Sequence, residues 1–392
     1  MPTKADRKHL DATVAAFHSH YASDANWGSD RWHESLYPAL ARATRYGALV
    51  NQYVSRAEVY KVLLTGVPED ELRLMELPPP SARDGKINVT EADVATAGAG
   101  PRDKDGDEST FLFPVPQPIV LPGDSEKSLL SHWNMDAASA LCAHMLDVQP
   151  NDKVLDLCAA PGGKSVTLAQ LIFPHFHANH LPLRTSSGAE GTVEAAAPTE
   201  LGCLHSNEID HARNKRLAAN LRAYLPTALF ESNAVRVLRL DGSDARVFTQ
   251  LPLGPGSYDR VLLDAPCSSE RHIIHAHLKA ASAGRIADEM ARWRRGGSKT
   301  LAKLQTDLLM TALRAVKVGG RVVYSTCSIE TGENDGVMER MLAASDASQA
   351  GAVLDSLTEE TKYGRIAVPD HPAGGQWGPL YFCVITKIAR KA

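Results

Sequence analysis

The sequence predicts an α/β fold: a doubly wound parallel sheet preceded by an N-terminal helical region. Three observations carry this. Five short apolar runs recur at 153–158, 201–208, 235–242, 258–267 and 319–328. Helix-period segments such as "HARNKRLAANLRAYL" and "TLAKLQTDLLMTALRAVKV" separate most of them. The alternation starts near residue 111, whereas residues 10–75 space their apolar side chains as helices do. Strands alternating with helices imply parallel pairing. The chain accordingly divides into a helical region 1–76, a Pro-, Gly- and Asp-rich linker 77–110 and an α/β domain 111–392. Residues 174–200 read as a surface insertion, because they fall where a connection usually takes a few residues.

Composition narrows the function classes. Hydrophobic residues make up 44% and charged residues 22% of the 392 positions, and no apolar run approaches membrane-span length. A net charge of −4 means that any nucleic-acid contact needs a local basic face. The six cysteines are scattered without a C-x2-C pair, which indicates neither a zinc site nor a disulfide framework and favours a reducing compartment. No Cys or acidic residue stands at ligand spacing from His175, His177 and His180, so no metal is expected. The N-terminus lacks the apolar core of a secretory signal, and Asp6 and Asp11 make it a poor organelle transit peptide.

Ligands of such sheets bind at the carboxyl ends of the strands. Here those ends carry Asp156, Glu208, Asp241, Asp264 with Cys267, and Cys327. In "VLDLCAAPGGKS" Gly162 and Gly163 let the backbone approach a ligand, and the following helix N-terminus favours an anion. Neither G-x-x-x-x-G-K-[ST] nor G-x-G-x-x-G is present. Glu208 is placed for ribose hydroxyls and Asp241 for an adenine amino group, which suits S-adenosylmethionine as well as a dinucleotide. Cys142, Cys158, Cys203 and Cys383 read as small packed residues. Cys267 and Cys327 differ, since each lies just past a strand end beside polar residues. A thiolate there, near Lys164, suits methylation of cytosine carbon 5: addition to carbon 6 turns the ring into an enamine whose carbon 5 attacks a methyl sulfonium. Asp264 can hold the base's N3 and N4 edge, and a second thiol can assist release. These arguments do not choose between the two cysteines. The segment 285–303 sets six Arg or Lys against Asp288 and Glu289. Arg292, Arg294, Arg295 and Lys299 are its candidate phosphate contacts, and Trp293 either stacks on a base or lies in the core. Arg271 and His272, just before it, join this RNA-binding set.

"DLCAAPGGKS", "LLDAPCSSERH" and "YSTCSIE", in that order, resemble the Nop/Sun family of RNA cytosine-5 methyltransferases. "WNMDAAS" and "LQTDLL" resemble that family's lead-in and the helix before its Thr-Cys strand. "RYGALVN", "NEIDHARNKRL" and "GPLYFC" are most similar to the mitochondrial ribosomal-RNA member. The resemblance implies a Rossmann-like class I methyltransferase that uses S-adenosylmethionine. It makes Cys327 the nucleophile and Cys267 the aid to release, with Lys164 and Asp264 facing the base. Cys158, Ala159, Ala160, Pro161, Gly162, Gly163, Lys164, Glu208, Arg213, Asp241, Gly242 and Asp264 would hold the methyl donor. Glu208 stands where the family usually has Asp. The implied partners are ribosomal RNA, the assembling ribosomal subunit and a helical-repeat protein of the mitochondrial transcription-termination-factor type, in the mitochondrial matrix and with no membrane. A non-catalytic RNA-binding assembly factor and a small-molecule methyltransferase are the rival readings.

Overall fold

The computed structural model describes residues 3–77, 90–97, 113–121, 124–178, 202–342, 357–372 and 376–389. Most of the predicted insertion and much of the predicted linker lie outside them. Fourteen strands are present among the described residues: β1 (Tyr46–Val50), β2 (Leu72–Leu77), β3 (Thr90–Ala97), β4 (Pro118–Leu121), β5 (Asp124–Leu130), β6 (His132–Asp136), β7 (Lys153–Asp156), β8 (Cys203–Asn207), β9 (Val235–Leu238), β10 (Tyr258–Asp264), β11 (Val316–Thr326), β12 (Glu359–Glu360), β13 (Arg365–Ala367) and β14 (Leu380–Thr386).

The main sheet has the order β12-β13-β14-β11-β10-β7-β8-β9. Strands β7 to β11 are the five expected from the sequence, and they pair in parallel. Strand order runs outward from β7 to β9 on one side and restarts at β10 on the other, so the switch point falls between β7 and β10. The expectation of an all-parallel sheet is corrected at one edge. There β14 runs antiparallel to β11, and β13 and β12 continue the antiparallel order. These strands come after the helix Asp335–Leu342 and lie at the edge of the sheet beside β11, where antiparallel pairing is open to them.

Both faces of the sheet are buried, by strict alternation along its strands. Leu155, Val261, Leu263, Val322 and Tyr324 enter one core with Phe17, Tyr21, Trp32 and Leu36 from the N-terminal helices. Val154, Leu262 and Val323 enter the other, with Leu168, Leu217 and Leu221 from the helices Gly163–Ile172 and His211–Tyr224. A strand covered on both faces reads as a continuous apolar run, which is why these five are visible in the sequence.

The N-terminal region departs from its prediction. Lys4–Ala22 is a helix with a Thr3–Asp6 capping box, but Tyr46–Val50 is a strand. It pairs with β3 on one side and β6 on the other, in a four-stranded antiparallel sheet ordered β2-β3-β1-β6. Pairing partners distant in sequence override the helical spacing of these residues. The predicted linker likewise contains β3, whose flanking Pro and Gly residues disguise it.

Candidate active site

The crevice opens at the carboxyl ends of β7, β10 and β11. After β7 the chain turns through Gly162, at φ 124°, into the helix Gly163–Ile172. No side chain caps this helix, so its first N–H groups point to the crevice. A Cβ on Gly163 would lie 2.7 Å from Trp133 Nε1, so only glycine fits between the loop and β6. The preceding loop is held from behind: Ala159 N donates to Asn207 O at 2.8 Å, and Asn220 Nδ2 donates to Pro161 O at 2.8 Å. Cys158 is half-buried, and burial pushes its thiol up. Asp156 is turned inward to Ser165 Oγ at 2.7 Å, and burial raises its carboxyl to about 7, so it supports the loop rather than reaching the crevice.

Glu208, just past β8, is buried. It accepts Asp210 N–H at 2.9 Å and meets the exposed Arg213 at 3.3 Å, while Arg213 also donates to Ala160 O at 3.1 Å. Arg213 thus joins the ends of β7 and β8. Asp241 is exposed and accepts both N–H and Oγ of Ser243, and Gly242 beside it packs against Leu157 and Leu308. Free helix N–H groups, two carboxylates at successive strand ends and a nearby ammonium match the ribose, amine and carboxylate chemistry of S-adenosylmethionine.

Between these groups and the thiols lies a charged pair. Lys164 Nζ donates to Asp264 Oδ2 at 2.7 Å and to Ser139 Oγ at 3.2 Å. Burial works against the ammonium, yet Asp264 holds it charged above the ordinary lysine range. Ser325 Oγ donates to Asp264 Oδ1 at 3.0 Å. The carboxylate is about one third exposed (32%) and keeps lone pairs free toward the crevice.

Parallel register sets Asp264 of β10 beside Ser325 of β11, so the loops that follow meet. Cys267 Sγ and Cys327 Sγ lie 3.2 Å apart, and Ser269 Oγ sits 3.3 Å from the first and 3.0 Å from the second. Ser269 occupies the left-handed region at φ 53°, a conformation that non-glycine residues adopt rarely. Cys327 is exposed and its thiol is held below the ordinary range, chiefly by the hydrogen bond from Cys267. Cys267 is half-buried and pushed well up, by that same contact and by burial. The contact between the sulfurs thus favours ionisation of Cys327 over that of Cys267. Cys327 opens into a cavity of about 330 Å³ lined also by Asp136, Ser139, Ser269, His272 and Pro379.

The predicted RNA face divides. His272, Arg292, Arg294, Arg295 and Lys299 are exposed, although Arg292 pairs with Asp288 at 3.1 Å. Two of the set are less exposed. Arg271 is buried (7% exposed) and donates to the carbonyls of Gly378, Arg42 and Ala43, while also lining the cavity beside Cys327. The half-buried Trp293 ring sits 5.3 Å from Phe17 and 5.6 Å from His20 and packs on the N-terminal helix, the second of its two readings. Sequence reasoning missed Ser139, Ser269, Glu270 and Ser325. Only "SSE" and "YS" beside the cysteines hint at three of them, and Ser139 has no signal beyond its place in the lead-in.

Comparison with known proteins agrees with this geometry. The family model described as 16S rRNA methyltransferase RsmB/F matches residues 174–371. The mitochondrial tRNA (cytosine(34)-C(5))-methyltransferase of Danio rerio is 32% identical over 70% of this chain and 66% of its own. The 5-cytosine rRNA methyltransferase NSUN4 of Bos taurus is 31% identical over 66% of this chain and 60% of its own. The matched stretch therefore spans about two thirds of these relatives' lengths. Among solved structures, NSun6 from Pyrococcus horikoshii with SFG aligns over 95% of this chain and 98% of its own, at TM-score 0.57 and 15% identity, which shows a shared fold. With catalytic-loop motifs, sheet order and sequence in agreement, the chain belongs to the RsmB/F family, also called Nop/Sun, and has the Rossmann-like class I methyltransferase fold.

Proposed function

We propose that this protein is an S-adenosylmethionine-dependent RNA cytosine-5 methyltransferase acting through a covalent Cys327 adduct. The observation that carries the reading is the thiol pair, 3.2 Å apart beside the Lys164–Asp264 ion pair. The bound methyl donor supplies an electrophilic methyl group on sulfonium. The Cys327 thiolate adds to cytosine carbon 6, forming a C–S bond and moving the C5–C6 π pair onto carbon 5. Asp264 accepts from the N4 amine and holds the protonated N3, and Lys164 fixes the carboxylate that does so. After carbon 5 is methylated, a water takes its proton, the C–H pair re-forms the C5–C6 double bond, and the C–S pair returns to the Cys327 sulfur as it leaves. Cys267, 3.2 Å away, is placed to donate to that departing sulfur. Cytosine inside a duplex cannot reach Cys327, so the target is single-stranded or flipped out.

Ribosomal RNA is the substrate we favour, in mitochondria during ribosome assembly. The similarity to the rRNA enzyme NSUN4 and to mitochondrial tRNA enzymes supports an RNA substrate and that compartment. A helical-repeat partner would add RNA contacts to the short basic stretch Arg292–Lys299. The test is a covalent trap with 5-azacytidine-substituted RNA and methyl donor, using ribosomal and transfer RNA in separate arms. An adduct with ribosomal RNA supports the whole reading, and one with transfer RNA alone transfers it to that substrate. No adduct in either arm, with donor and RNA binding intact and partner supplied, returns the protein to an assembly scaffold.

A further inference from the structure

Two dipeptides, Cys267-Ser268 and Cys327-Ser328, converge on one buried carboxylate. Glu270 is fully buried, and burial raises its carboxyl above the usual range. Ser268 Oγ donates to Glu270 Oε1, Ser328 Oγ donates to the same oxygen at 3.2 Å, and the two hydroxyls lie 2.9 Å apart. Ile329 N–H reaches Oε2 at 2.9 Å. The fourth donor comes from the N-terminal helix: Tyr21 OH donates to Oε1 at 3.0 Å. The same segment grips the loop after Cys327 at three further points. Trp27 Nε1 donates to Ile329 O at 3.2 Å, Asn26 Nδ2 to Thr331 Oγ1 at 2.8 Å, and His20 Nε2 meets Glu330 Oε2 at 2.7 Å.

Each thiol is therefore one residue from a hydroxyl anchored to a shared acceptor. An apolar side chain in that place would avoid the cost of burying a charge. What only the carboxylate supplies is a common origin for two loops that leave different strands. We propose that Glu270, held by Ser268, Ser328 and Tyr21, is a positioning residue that sets the distance between the two thiols, and that the N-terminal helix is thereby a working part of the active site. This deepens the reading of Cys327 and Cys267 as a cooperating pair.

The test uses diamide as a chemical ruler on the full chain. Each thiol gives up its hydrogen, an S–S bond forms, and the two protons and two electrons reduce diamide to the hydrazine. The Cys267–Cys327 cross-link is followed by peptide mapping and divided by the iodoacetamide alkylation rate of Cys327, which corrects for reactivity alone. Glu270→Gln is expected to slow the corrected cross-link about tenfold or more, and Tyr21→Phe several-fold. Ser328→Ala should behave like Tyr21→Phe, and Ser328→Thr, which keeps the hydroxyl, should restore the wild-type rate. Tyr21→Phe removes a single oxygen and so keeps the test open if Glu270→Gln does not fold. Wild-type cross-linking rates in folded Glu270→Gln or Tyr21→Phe overturn the proposal. The ruler needs no RNA, so its outcome is separate from that of the azacytidine trap. A wild type that cross-links readily but traps no RNA keeps the bracket and removes the methyltransferase reading.

Discussion

The loops after β10 and β11 begin alike and end differently. Each leaves an apolar strand and within three residues presents a cysteine followed by serine. The β10 loop then runs straight into the helix Glu270–Ser282, which half-buries Cys267 and gives Ser268 N–H to Glu333 Oε2 at 3.0 Å. The β11 loop instead turns outward, leaving Cys327 exposed at the cavity mouth. One contact between the sulfurs then separates them further, pushing the buried thiol up and the exposed one down. Similar local chemistry is thus split in two directions, chiefly by the contact between the sulfurs, with burial adding to the rise at Cys267.

The comparison breaks outright if the wrong thiol carries the adduct. Cys327→Ala is expected to reduce methylation and trapping to background, while Cys267→Ala forms adduct and fails to release it, read on a denaturing gel. The reverse pattern would exchange the roles. Next in size, Lys164→Met should lower turnover roughly 10²–10³-fold, since it removes the fixed charge behind Asp264. Donor binding measured by calorimetry separates a lost charge from a lost site.

A third test reads the thiols directly. Because the Cys327 thiol lies below the ordinary range and Cys267 well above it, alkylation of Cys327 should rise at lower pH than for a free cysteine. Quantitative peptide mapping across pH checks this, and equal profiles for the two would refute the donor–acceptor arrangement. Trp293→Ala should cost about 1–3 kcal/mol of stability by opening the packing of this half-buried ring around Phe17. It should leave the salt dependence of RNA binding unchanged, whereas Arg295→Gln should shallow that slope by about one phosphate contact.

The smallest effect concerns Glu333, in the turn after Cys327, whose carboxylate accepts Ser268 N–H and Gln305 Nε2. Burial raises its carboxyl from 4.5 to about 7. Its contribution to stability is therefore full below pH 4.5 and lost as pH rises through about 7. Glu333→Gln should flatten that part of the stability curve in thermal melts, without shifting the alkylation profile of Cys327.

Much of the site is legible because parallel strands buried on both faces are apolar runs, and ligands gather where such runs end. "VLLDAPC" and "VVYSTC" therefore place Asp264, Cys267 and Cys327 at one crevice by residue pattern alone. The burial of Arg271 and Trp293 was not legible, because a cation or an aromatic ring in a basic stretch looks the same whether it faces solvent or core. Strand β1 misleads for a related reason: Tyr46–Val50 has its helical spacing written locally, while its pairing partners lie 45 to 49 residues away in β3 and 82 to 90 in β6.

What the sequence by itself determined, then, was the order of the five parallel strands and the helices between them, the strand-end chemistry and the family. Periodicity and strand-end residue types are local properties, and they survive without knowledge of neighbours. What tertiary structure alone decided was which thiol is exposed, that Ser139 and Ser325 hold the Lys164–Asp264 pair, and that Tyr21 reaches Glu270 across 249 residues of chain. Burial and hydrogen-bond partnership belong to the packed pair of groups, and neither is written in either one alone.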